Sequence, residues 1–568
     1  MRMDPLRKAS PGAGRRSATV LAVGRRVARA GAVFLVLLAG LASALYAARP
    51  SAGGTDTITG ATSVSTTTVS TLPSVLVVSG HGYGHGLGMS QWGAYGYALH
   101  GFAYDRILQH YFPGTTLQHA PGRTLRVLVA EARTVTVGSN GPWSVTDASG
   151  TRVPLDPGTV ELGAALTLDS HPELSPPFSF TSPTPLTVGG IAYRGKLVAS
   201  SDGKLVSVVN DVGLEWYLKG VVPAEMPPAW PAAALQAQAV AARSYALANI
   251  AKSGPFDLYG DSRSQVYAGA SAETAATSAA VAATAGQVLE FGGRVADALF
   301  HSSSGGRTVS SLEATGVAVP YLVSVADPYD TLSPLHDWGP ILLDAAKVAK
   351  TLALTAPISA LTVTDGPSGR VKTLELVTAD EATSSFTGNE LRVALGLNST
   401  WFQPVLLRLQ PSVRTVAYGA PVTLGGSGAP GVALEARPSG SSDWAAAGSP
   451  APAPDGSFTL LVRPRVTTSY RLALGAVRAA LVTVAVAARV SAVAAGSGIS
   501  GTAKPAAAGA TVQLLERSAS GWSPVSSTTT DASGAFSFGG KPAPGIYRVR
   551  VSPGHGVSPG VSATLPVQ

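Results

Sequence analysis

The sequence predicts a mixed α/β domain followed by two all-β, immunoglobulin-like sandwich modules, behind an N-terminal signal or membrane-anchor helix. The chain has 568 residues, which is too long for a single hydrophobic core. Helix-like and strand-like segments alternate up to residue 402, and beyond it helical patterns stop and short strand patterns repeat. An arginine-rich start precedes a long apolar run, which indicates a targeting segment.

Residues 1–50 are predicted to be a signal peptide or membrane anchor. Ala30–Ala48 is uncharged and contains Ala42-Ser43-Ala44, a pattern typical of a signal cleavage site. The apolar run exceeds the roughly 7–15 residues of a usual signal core, so an uncleaved anchor is the alternative. Residues 51–74 are rich in Ser, Thr and Gly and are predicted to be a linker. We therefore expect an exported protein that is secreted or anchored outside the cytoplasm.

The distribution of charge argues against a nucleic-acid partner. Residues 1–50 hold nine basic side chains and one acidic one, which equals the net charge of +8 for the whole chain. The remaining residues sum to zero, and no cluster of basic side chains stands out in them. Membrane contact is expected only through the N-terminal segment. The chain has no cysteine, which excludes disulfides, thiolate catalysis and thiolate metal sites.

Residues 75–402 carry the pattern of the α/β domain. Strands are predicted at 124–131, 197–210 and 358–379, where β-branched residues alternate around glycine turns, and a β-rich insertion is expected near 120–195. The clearest helix is 231–251, with Pro231 at its start and Gly254 just beyond its end. It is apolar on almost all sides, so it should be buried. Further helices are predicted at 343–354 and 388–397.

Residues 403–487 and 488–568 form an internal repeat. Three pairs of aromatic residues mark it: Trp444 with Trp522, Phe458 with Phe536, and Tyr470 with Tyr547. Short strands, regular turn residues and one tryptophan expected in each core are typical of small β-sandwiches. We interpret both modules as spacer or attachment domains without chemistry of their own.

Elimination leaves few candidates for catalysis. Ser302–Ser304 follow His301, but the G-x-S-x-G pattern of a nucleophilic serine is absent there. There is no H-E-x-x-H motif, and His81 and His85 are separated by a flexible glycine-containing spacer rather than a helix face. The sequence therefore predicts no metal and no cofactor.

Glu225 is the most promising acid. It is predicted to lie in a proline-rich loop just before the predicted helix, and Met226 and Trp230 offer an apolar surrounding. Burial would raise the pKa of this carboxyl and keep it protonated as a donor, whereas a helix N-terminus would favour the ionised form. The residues alone leave open which effect dominates.

A glycine-rich block, HGYGHGLGMSQWGA at residues 81–94, is the second candidate feature. Glycines allow the backbone to approach a ligand or another strand closely, and His85, Ser90 and Gln91 would then present polar groups there. We interpret residues 81–91 as one wall of a binding cleft, held by a helix and turn over 89–112. A tight crossover without ligand contact is the alternative. His301 and Ser304 are candidates for binding hydroxyl groups, or for ending and turning a strand.

Several segments resemble the SpoIID/LytB family of peptidoglycan-acting proteins. They are YRGKLVAS (193–200), VVNDVGLEWYLKGVVPAEMP (208–227), ALQAQAVAARSYAL (234–247), FHSSSGGRT (300–308), PYLVSVADPYD (320–330), LRVALGLNSTWF (391–402) and the glycine-rich block. In many relatives that block closes the domain, whereas here it comes first. If the fold is shared, the block should still pack beside Glu225.

The resemblance implies a lytic transglycosylase that cleaves the MurNAc–GlcNAc bond of peptidoglycan glycan strands and leaves a 1,6-anhydro end. By position in the motif, Glu225 would be the single acid and base, and Arg243 would be a substrate-binding residue, or else an anchor of its helix. The family also includes amidase enhancers, so a glycan-binding activator of a cell-wall amidase is the alternative. A structural wall protein is a third possibility. Because this chain lacks cysteine, the cysteine–histidine zinc site of some relatives is not expected.

Overall fold

The computed structural model describes residues 74–251, 253–496, 498–519, 521–540 and 542–568. The predicted signal or anchor segment and residues 51–73 of the predicted linker lie outside these residues. Among the helices of the described residues, none combines the length and apolar character required to cross a membrane.

Eight α-helices occur in the described part of residues 75–402, and strands surround them. The helices are α1 (Gln91–Leu99), α2 (Tyr104–Tyr111), α3 (Leu214–Glu225), α4 (Ala232–Ala248), α5 (Ala275–Ala283), α6 (Ser311–Thr315), α7 (Ala345–Thr351) and α8 (Gly388–Leu395). The predicted helix at 231–251 is α4, and the one at 388–397 is α8, which begins with a Thr387–Glu390 capping box and ends at Gly396. The helix predicted at 343–354 is shorter, because Asp344 ends a strand and caps α7.

The strands of this part include all three predicted strand regions. They are β1 (Val75–His81), β2 (Met89–Ser90), β3 (Thr116–His119), β4 (Thr124–Ala132), β5 (Thr134–Ser139), β6 (Trp143–Thr146), β7 (Arg152–Leu155), β8 (Gly158–Gly163), β9 (Phe178–Thr181), β10 (Leu186–Val188), β11 (Ile191–Tyr193), β12 (Lys196–Ser201), β13 (Val206–Gly213), β14 (Leu258–Tyr259), β15 (Gln287–Phe291), β16 (Arg294–Val295), β17 (Phe300–His301), β18 (Asp337–Asp344), β19 (Ile358–Asp365), β20 (Val371–Thr378), β21 (Thr383–Thr387) and β22 (Trp401–Pro411). Two 3₁₀ turns, Ala270–Ala272 and Asp330–Leu332, complete it.

Helix α4 lies between two apolar cores. Its Ala239, Ala242 and Ala246 pack into a core built on the sheets β14-β4-β13-β12-β9-β6-β7 and β11-β10-β5-β8. Its Leu235 and Val240 pack into a second core formed with α1, α2 and α5. Because the helix is buried on both sides, it is apolar almost all round, and its small alanine side chains let neighbouring elements approach closely. The predicted β-rich insertion supplies most strands of the first core.

The first strand, β1, is inserted between two late strands. It pairs antiparallel with β18 on one side and with β22 on the other. Alternate side chains therefore enter different cores: Leu76 and Val78 pack with the cluster around β19–β21, α7 and α8, whereas Val75 and Val77 pack with the first sandwich module. Strand β22 also crosses the boundary predicted at residue 402, since its end pairs with a strand of that module.

The two C-terminal modules consist of strands only within their described residues. The strands are β23 (Thr415–Ala417), β24 (Val422–Ser427), β25 (Ala433–Pro438), β26 (Ala445–Gly448), β27 (Ser457–Val462), β28 (Thr468–Leu474), β29 (Val477–Ala487), β30 (Arg489–Ala495), β31 (Gly498–Lys504), β32 (Thr511–Ser518), β33 (Gly521–Thr529), β34 (Ala535–Gly539), β35 (Gly545–Ser552), β36 (Gly560–Val561) and β37 (Leu565–Val567).

The repeat is visible in the packing of both modules, with one correction. Phe458 and Tyr470 lie in the core of the first module, and Phe536 and Tyr547 lie in the core of the second. The tryptophans were expected in these cores, but they are only partly buried and belong to neither cluster. Arginine side chains cover them instead, as described below.

Candidate active site

Glu225 is the last residue of helix α3, and residues 226–231 separate it from α4. The sequence had placed it in a loop at the start of a helix, and this is corrected. Helix α3 continues through Pro223, which the last turn tolerates because the proline removes only one main-chain hydrogen bond there. Glu225 therefore lies at a helix C-terminus, where the local carbonyl dipoles disfavour a negative charge.

The carboxyl group of Glu225 is held by two N–H donors. The main-chain N–H of Val266 donates to Oε1 over 3.1 Å, and Nε2 of Gln91 donates to Oε2 over 3.3 Å. In the described part of the chain, no basic side chain forms an ion pair with it. Burial raises the pKa of Glu225, and the two donors only partly oppose that effect. The site thus holds an acid without a cationic partner, in surroundings that favour its protonated form.

The glycine-rich block reaches Glu225 from the opposite end of the domain. Strands β2 and β17 pair in parallel, so that Ser90 lies beside His301, and Gln91 follows as the first residue of α1. The expectation that the block packs beside Glu225 is confirmed by the Gln91 contact. Gly88 has a positive φ of 68°, and a Cβ atom there would lie 2.0 Å from the carbonyl of Leu299. Glycine is therefore required for the crossing of these two segments.

Two buried aspartates fix the block, and sequence reasoning missed both. Asp330 accepts hydrogen bonds from the hydroxyls of Ser90 and Ser303, both over 2.7 Å, and from the main chain of Ser304. Asp327 accepts from Tyr111 over 2.8 Å and from Ser304 Oγ over 2.7 Å. Burial and the neighbouring Asp330 raise the pKa of Asp327 to about 7. The two acids stand in the segment quoted above as PYLVSVADPYD, where carboxylates in an apolar stretch were the available signal.

These contacts change the roles of the predicted hydroxyl ligands. Ser90 and Ser304 are both fully buried, and their hydroxyls are taken up by the aspartates. They hold the framework in this structure, and their predicted contact with a substrate stays a prediction. His301 is also buried, and its Nδ1 bonds to the carbonyl of Leu87 over 3.0 Å. This contact agrees with the alternative that His301 ends and turns a strand, and its predicted contact with hydroxyl groups stays a prediction.

His85 is the more exposed of the two histidines. Its ring lies 5.6 Å from that of His301, centroid to centroid, and its Nδ1 accepts from the main chain of Leu87. Burial and the nearby Arg392 and Arg370 lower the pKa of His85 to about 4. The imidazole is consequently neutral at physiological pH. Across the described ranges, no group of three or more His, Cys, Asp or Glu side chains is arranged to hold a metal ion.

Arg243 joins two helices of the domain through a buried ion pair. It is completely buried and forms a two-pronged ion pair with Glu215, at 2.8 Å and 2.7 Å. Its Nη1 also donates to the carbonyl of Gln287 over 3.1 Å. Because Glu215 lies in the first turn of α3, this pair fastens α4 to the helix that carries Glu225. These contacts agree with the alternative of an anchor for its helix, and the predicted contact with substrate stays a prediction.

An aromatic trio joins α1 to the segment that follows Glu225. Trp92 and Tyr95 of α1 pack with Trp230 from the segment after Glu225, and the rings of Tyr95 and Trp230 stack at 4.7 Å. All three are partly exposed. Tyr97, another candidate for stacking on a sugar, is buried against Tyr329 and is a core residue.

The scan against protein families matches the SpoIID model, described as stage II sporulation protein, over residues 202–291. A 31% identical relative is the stage II sporulation protein D of Bacillus subtilis strain 168, matched over 34% of this chain and 61% of that protein. Residues 202–291 of the chain are thus similar to the SpoIID family. The match to the family model includes Glu225, Arg243 and Val266, but it does not include the glycine-rich block.

Two further relatives have a higher identity to this chain over shorter lengths. An uncharacterized protein of Brachyspira hyodysenteriae is 39% identical over 24% of this chain and 39% of its own length. The amidase enhancer of Bacillus subtilis strain 168 is 37% identical over 25% of this chain and 19% of its own length. The chain thus spans less than two thirds of each of these relatives. Matched solved structures have TM-scores of 0.15–0.17, which support no inference about the fold.

Proposed function

We propose that the SpoIID domain is a peptidoglycan lytic transglycosylase acting outside the cytoplasm, to which the N-terminal segment delivers it. One observation carries the proposal: Glu225 has a pKa raised by burial, has no cationic partner among the described residues, and accepts a hydrogen bond from Gln91, the residue before the partly exposed Trp92. An acid that is protonated before reaction is what cleavage of a glycosidic bond requires. The relatives named for sporulation and for amidase enhancement support a role in cell-wall processing.

In the proposed reaction, Glu225 acts first as acid and then as base. Its proton passes to the oxygen that leaves with GlcNAc as the C1–O bond of MurNAc breaks. The 6-hydroxyl oxygen of the same MurNAc then bonds to C1, and its proton returns to Glu225, so no water is consumed. Val266 N–H makes the shorter contact to Oε1, which leaves Oε2 as the oxygen better placed to carry the proton. Both donors stabilise the carboxylate formed between the two steps.

A single carboxyl group is sufficient for this scheme. Ordinary glycosidases need a second carboxylate, about 5–9 Å from the first, as nucleophile or as base for water. The substrate's own hydroxyl replaces that group in a lytic transglycosylase. The shift in the pKa of Glu225 is explained by burial and two hydrogen bonds, without the field of another carboxylate. This agrees with a site that works through one acid.

The second candidate is a glycan-binding enhancer of an N-acetylmuramoyl-L-alanine amidase. The 37% identity to a protein named amidase enhancer favours it. Under this proposal Glu225 would contact the glycan without transferring a proton. The two functions can be separated with glycan alone, because a transglycosylase cleaves it without an added amidase and an enhancer does not.

The decisive experiment is product analysis on purified glycan strands stripped of peptides. We expect mass spectrometry to find 1,6-anhydro ends with the native chain and none with Glu225→Gln, which keeps the shape but cannot deliver the proton. Glu161→Gln, an identical change at an exposed strand position, is the matched control and should retain activity. If the native chain yields no anhydro ends but accelerates an added amidase, and Glu225→Gln accelerates it equally, the enhancer is the correct function.

A further inference from the structure

The charge of the chain is segregated between its two halves. Residues 75–402 contain 19 basic and 26 acidic side chains, whereas residues 403–568 contain 13 basic and 5 acidic ones. The neutral total that argued against clustered basic charge therefore conceals an acidic SpoIID domain and basic sandwich modules. What these basic side chains can bind depends on their positions and on whether acidic side chains neutralise them.

Strand register makes the two modules comparable position by position. In the first module Glu435 pairs with Arg471, and Leu434 with Leu472. In the second, Leu515 pairs with Arg548, and Leu514 with Val549. Arg548 is thus the counterpart of Arg471, and Leu515 replaces the acid. Two residues further along the same strand, Arg550 occupies the position that Ala473 has in the first module.

The first module pairs two of its arginines with an acid. Glu435 accepts from Arg471 over 2.7 Å and pairs with Arg478 over 2.9 Å. The guanidinium of Arg471 lies 4.0 Å above the ring of Trp444, and Arg437 covers the same tryptophan at 5.0 Å. Glu435 therefore compensates one of the three positive charges of this cluster and holds the side chains of Arg471 and Arg478 in place.

The second module leaves its arginines without acids. We define the arginine face as the outer surface of strands β32, β33 and β35. It carries the side chains of Leu515, Arg517, Trp522, Ile546, Arg548 and Arg550. Among the described residues no carboxylate lies within 4 Å of the three arginines. Arg548 covers Trp522 at 4.6 Å, and its Nε is buried without an acceptor in the described part.

The remaining acids of this module do not compensate the face. Glu516 points to the other side of the sheet, where it accepts from the hydroxyl of the core residue Tyr547 over 3.3 Å. Asp531 is occupied by the turn before β34, where it accepts from the main chain of Ser533 and Ala535. Arg517 and Arg550 are exposed, so their guanidinium groups are available to a ligand from outside.

We infer that the arginine face binds an acidic polysaccharide, whose carboxylates pair with the arginines and whose sugar rings lie on the apolar surface of Trp522, Leu515 and Ile546. Arg548 and Arg550 are two residues apart on one strand, so they are spaced by roughly 6.6–7 Å along a line that an extended polymer can follow. Guanidinium forks match carboxylates in two-pronged geometry. The acidic SpoIID domain would repel the same polymer, which restricts binding to the modules.

The test is binding of the full chain to soluble polygalacturonate, a linear carboxylate-bearing polysaccharide, measured by affinity electrophoresis. Its fully methyl-esterified form has the same sugar backbone without charge, and single-stranded DNA represents a phosphodiester polyanion. We expect binding to polygalacturonate that weakens with salt, and at least tenfold weaker binding to the other two polymers. Arg548→Gln with Arg550→Gln should reduce the affinity about tenfold or more, since each charged hydrogen bond contributes roughly a factor of ten.

The tandem repeat supplies reciprocal variants as controls. Leu515→Glu installs the acid of the first module beside Arg548 and should also weaken binding about tenfold. Glu435→Leu removes that acid from the first module and should strengthen binding, which a loss of folding cannot imitate. Equal affinity for the methyl ester, tighter binding of DNA, or unchanged affinity in both Arg548→Gln/Arg550→Gln and Leu515→Glu would each overturn the proposal.

Discussion

Replacing Arg243 tests whether this residue supports the fold or contacts the substrate. Removing one partner of a buried ion pair costs about 3–5 kcal/mol, because the other charge is left without compensation. Glu215 is 39% exposed and can recover some hydration, so the free-energy cost of leaving its carboxylate unpaired is moderate. The carbonyl of Gln287 also loses its donor, and a cavity opens where a fully buried side chain stood. We therefore expect Arg243→Ala to destabilise the SpoIID domain by about 3–4 kcal/mol.

The assay is urea unfolding of the full chain, with native-state hydrogen exchange assigning the change to α3 and α4. Arg243→Met fills most of the space without charge and should cost roughly half as much. Well below its unfolding midpoint, this variant should bind glycan as tightly as the native chain. The reasoning is refuted if Arg243→Met loses less than about 1 kcal/mol but binds glycan ten times more weakly. Arg243 would then be the substrate ligand that the motif position suggested.

Three further outcomes follow from the same geometry. In a pH–rate profile, turnover should be constant at low pH and decline as the pH rises through the raised pKa of Glu225. Gln91→Leu removes a donor that stabilises the carboxylate, so this variant should show the decline at a higher pH. Because the pKa of Glu225 is raised in the folded state, the stability contributed by its protonated form is lost as the pH rises through that pKa. Glu225→Gln should therefore melt at a higher temperature than the native chain near neutral pH, and the difference should disappear in acid. Val77→Ala should cost about 2 kcal/mol, because this side chain is buried, whereas Leu461→Ala, at an exposed position, should change the unfolding midpoint very little.

Local patterns in the sequence predicted most of the elements that depend on local physics. Helix α4 was predicted within a few residues at each end, because proline and an alanine-rich run define it without reference to the rest of the chain. Helix α3 was not predicted, because Pro223 and its neighbours were interpreted as a loop. The difference matters for chemistry, since a helix end at Glu225 reverses the dipole effect that was expected to oppose a raised pKa.

The missed parts of the site depend on contacts between distant residues. Asp330 meets Ser90 across 240 positions of the chain, and no local pattern indicates that pairing. The hydroxyls of Ser90 and Ser304 looked available in the sequence because their partners were not known. A similar limit applies to the tryptophans of the two modules. An arginine on a later strand decides whether such a ring is covered at the surface or buried in the core.

The position of β1 links the site to the first sandwich module. This strand leads directly into the glycine-rich block, and Gln91 at the end of that block touches Glu225. Its side chains alternate between the core beside β18 and the core of the module, so both cores hold it in place. A truncation at residue 402 would cut β22 and expose Val75 and Val77, which removes one of the two supports. The first module therefore stabilises the strand that positions Gln91, although it lies outside the segment that matches the SpoIID family, and a chain shortened only after residue 487 preserves this support.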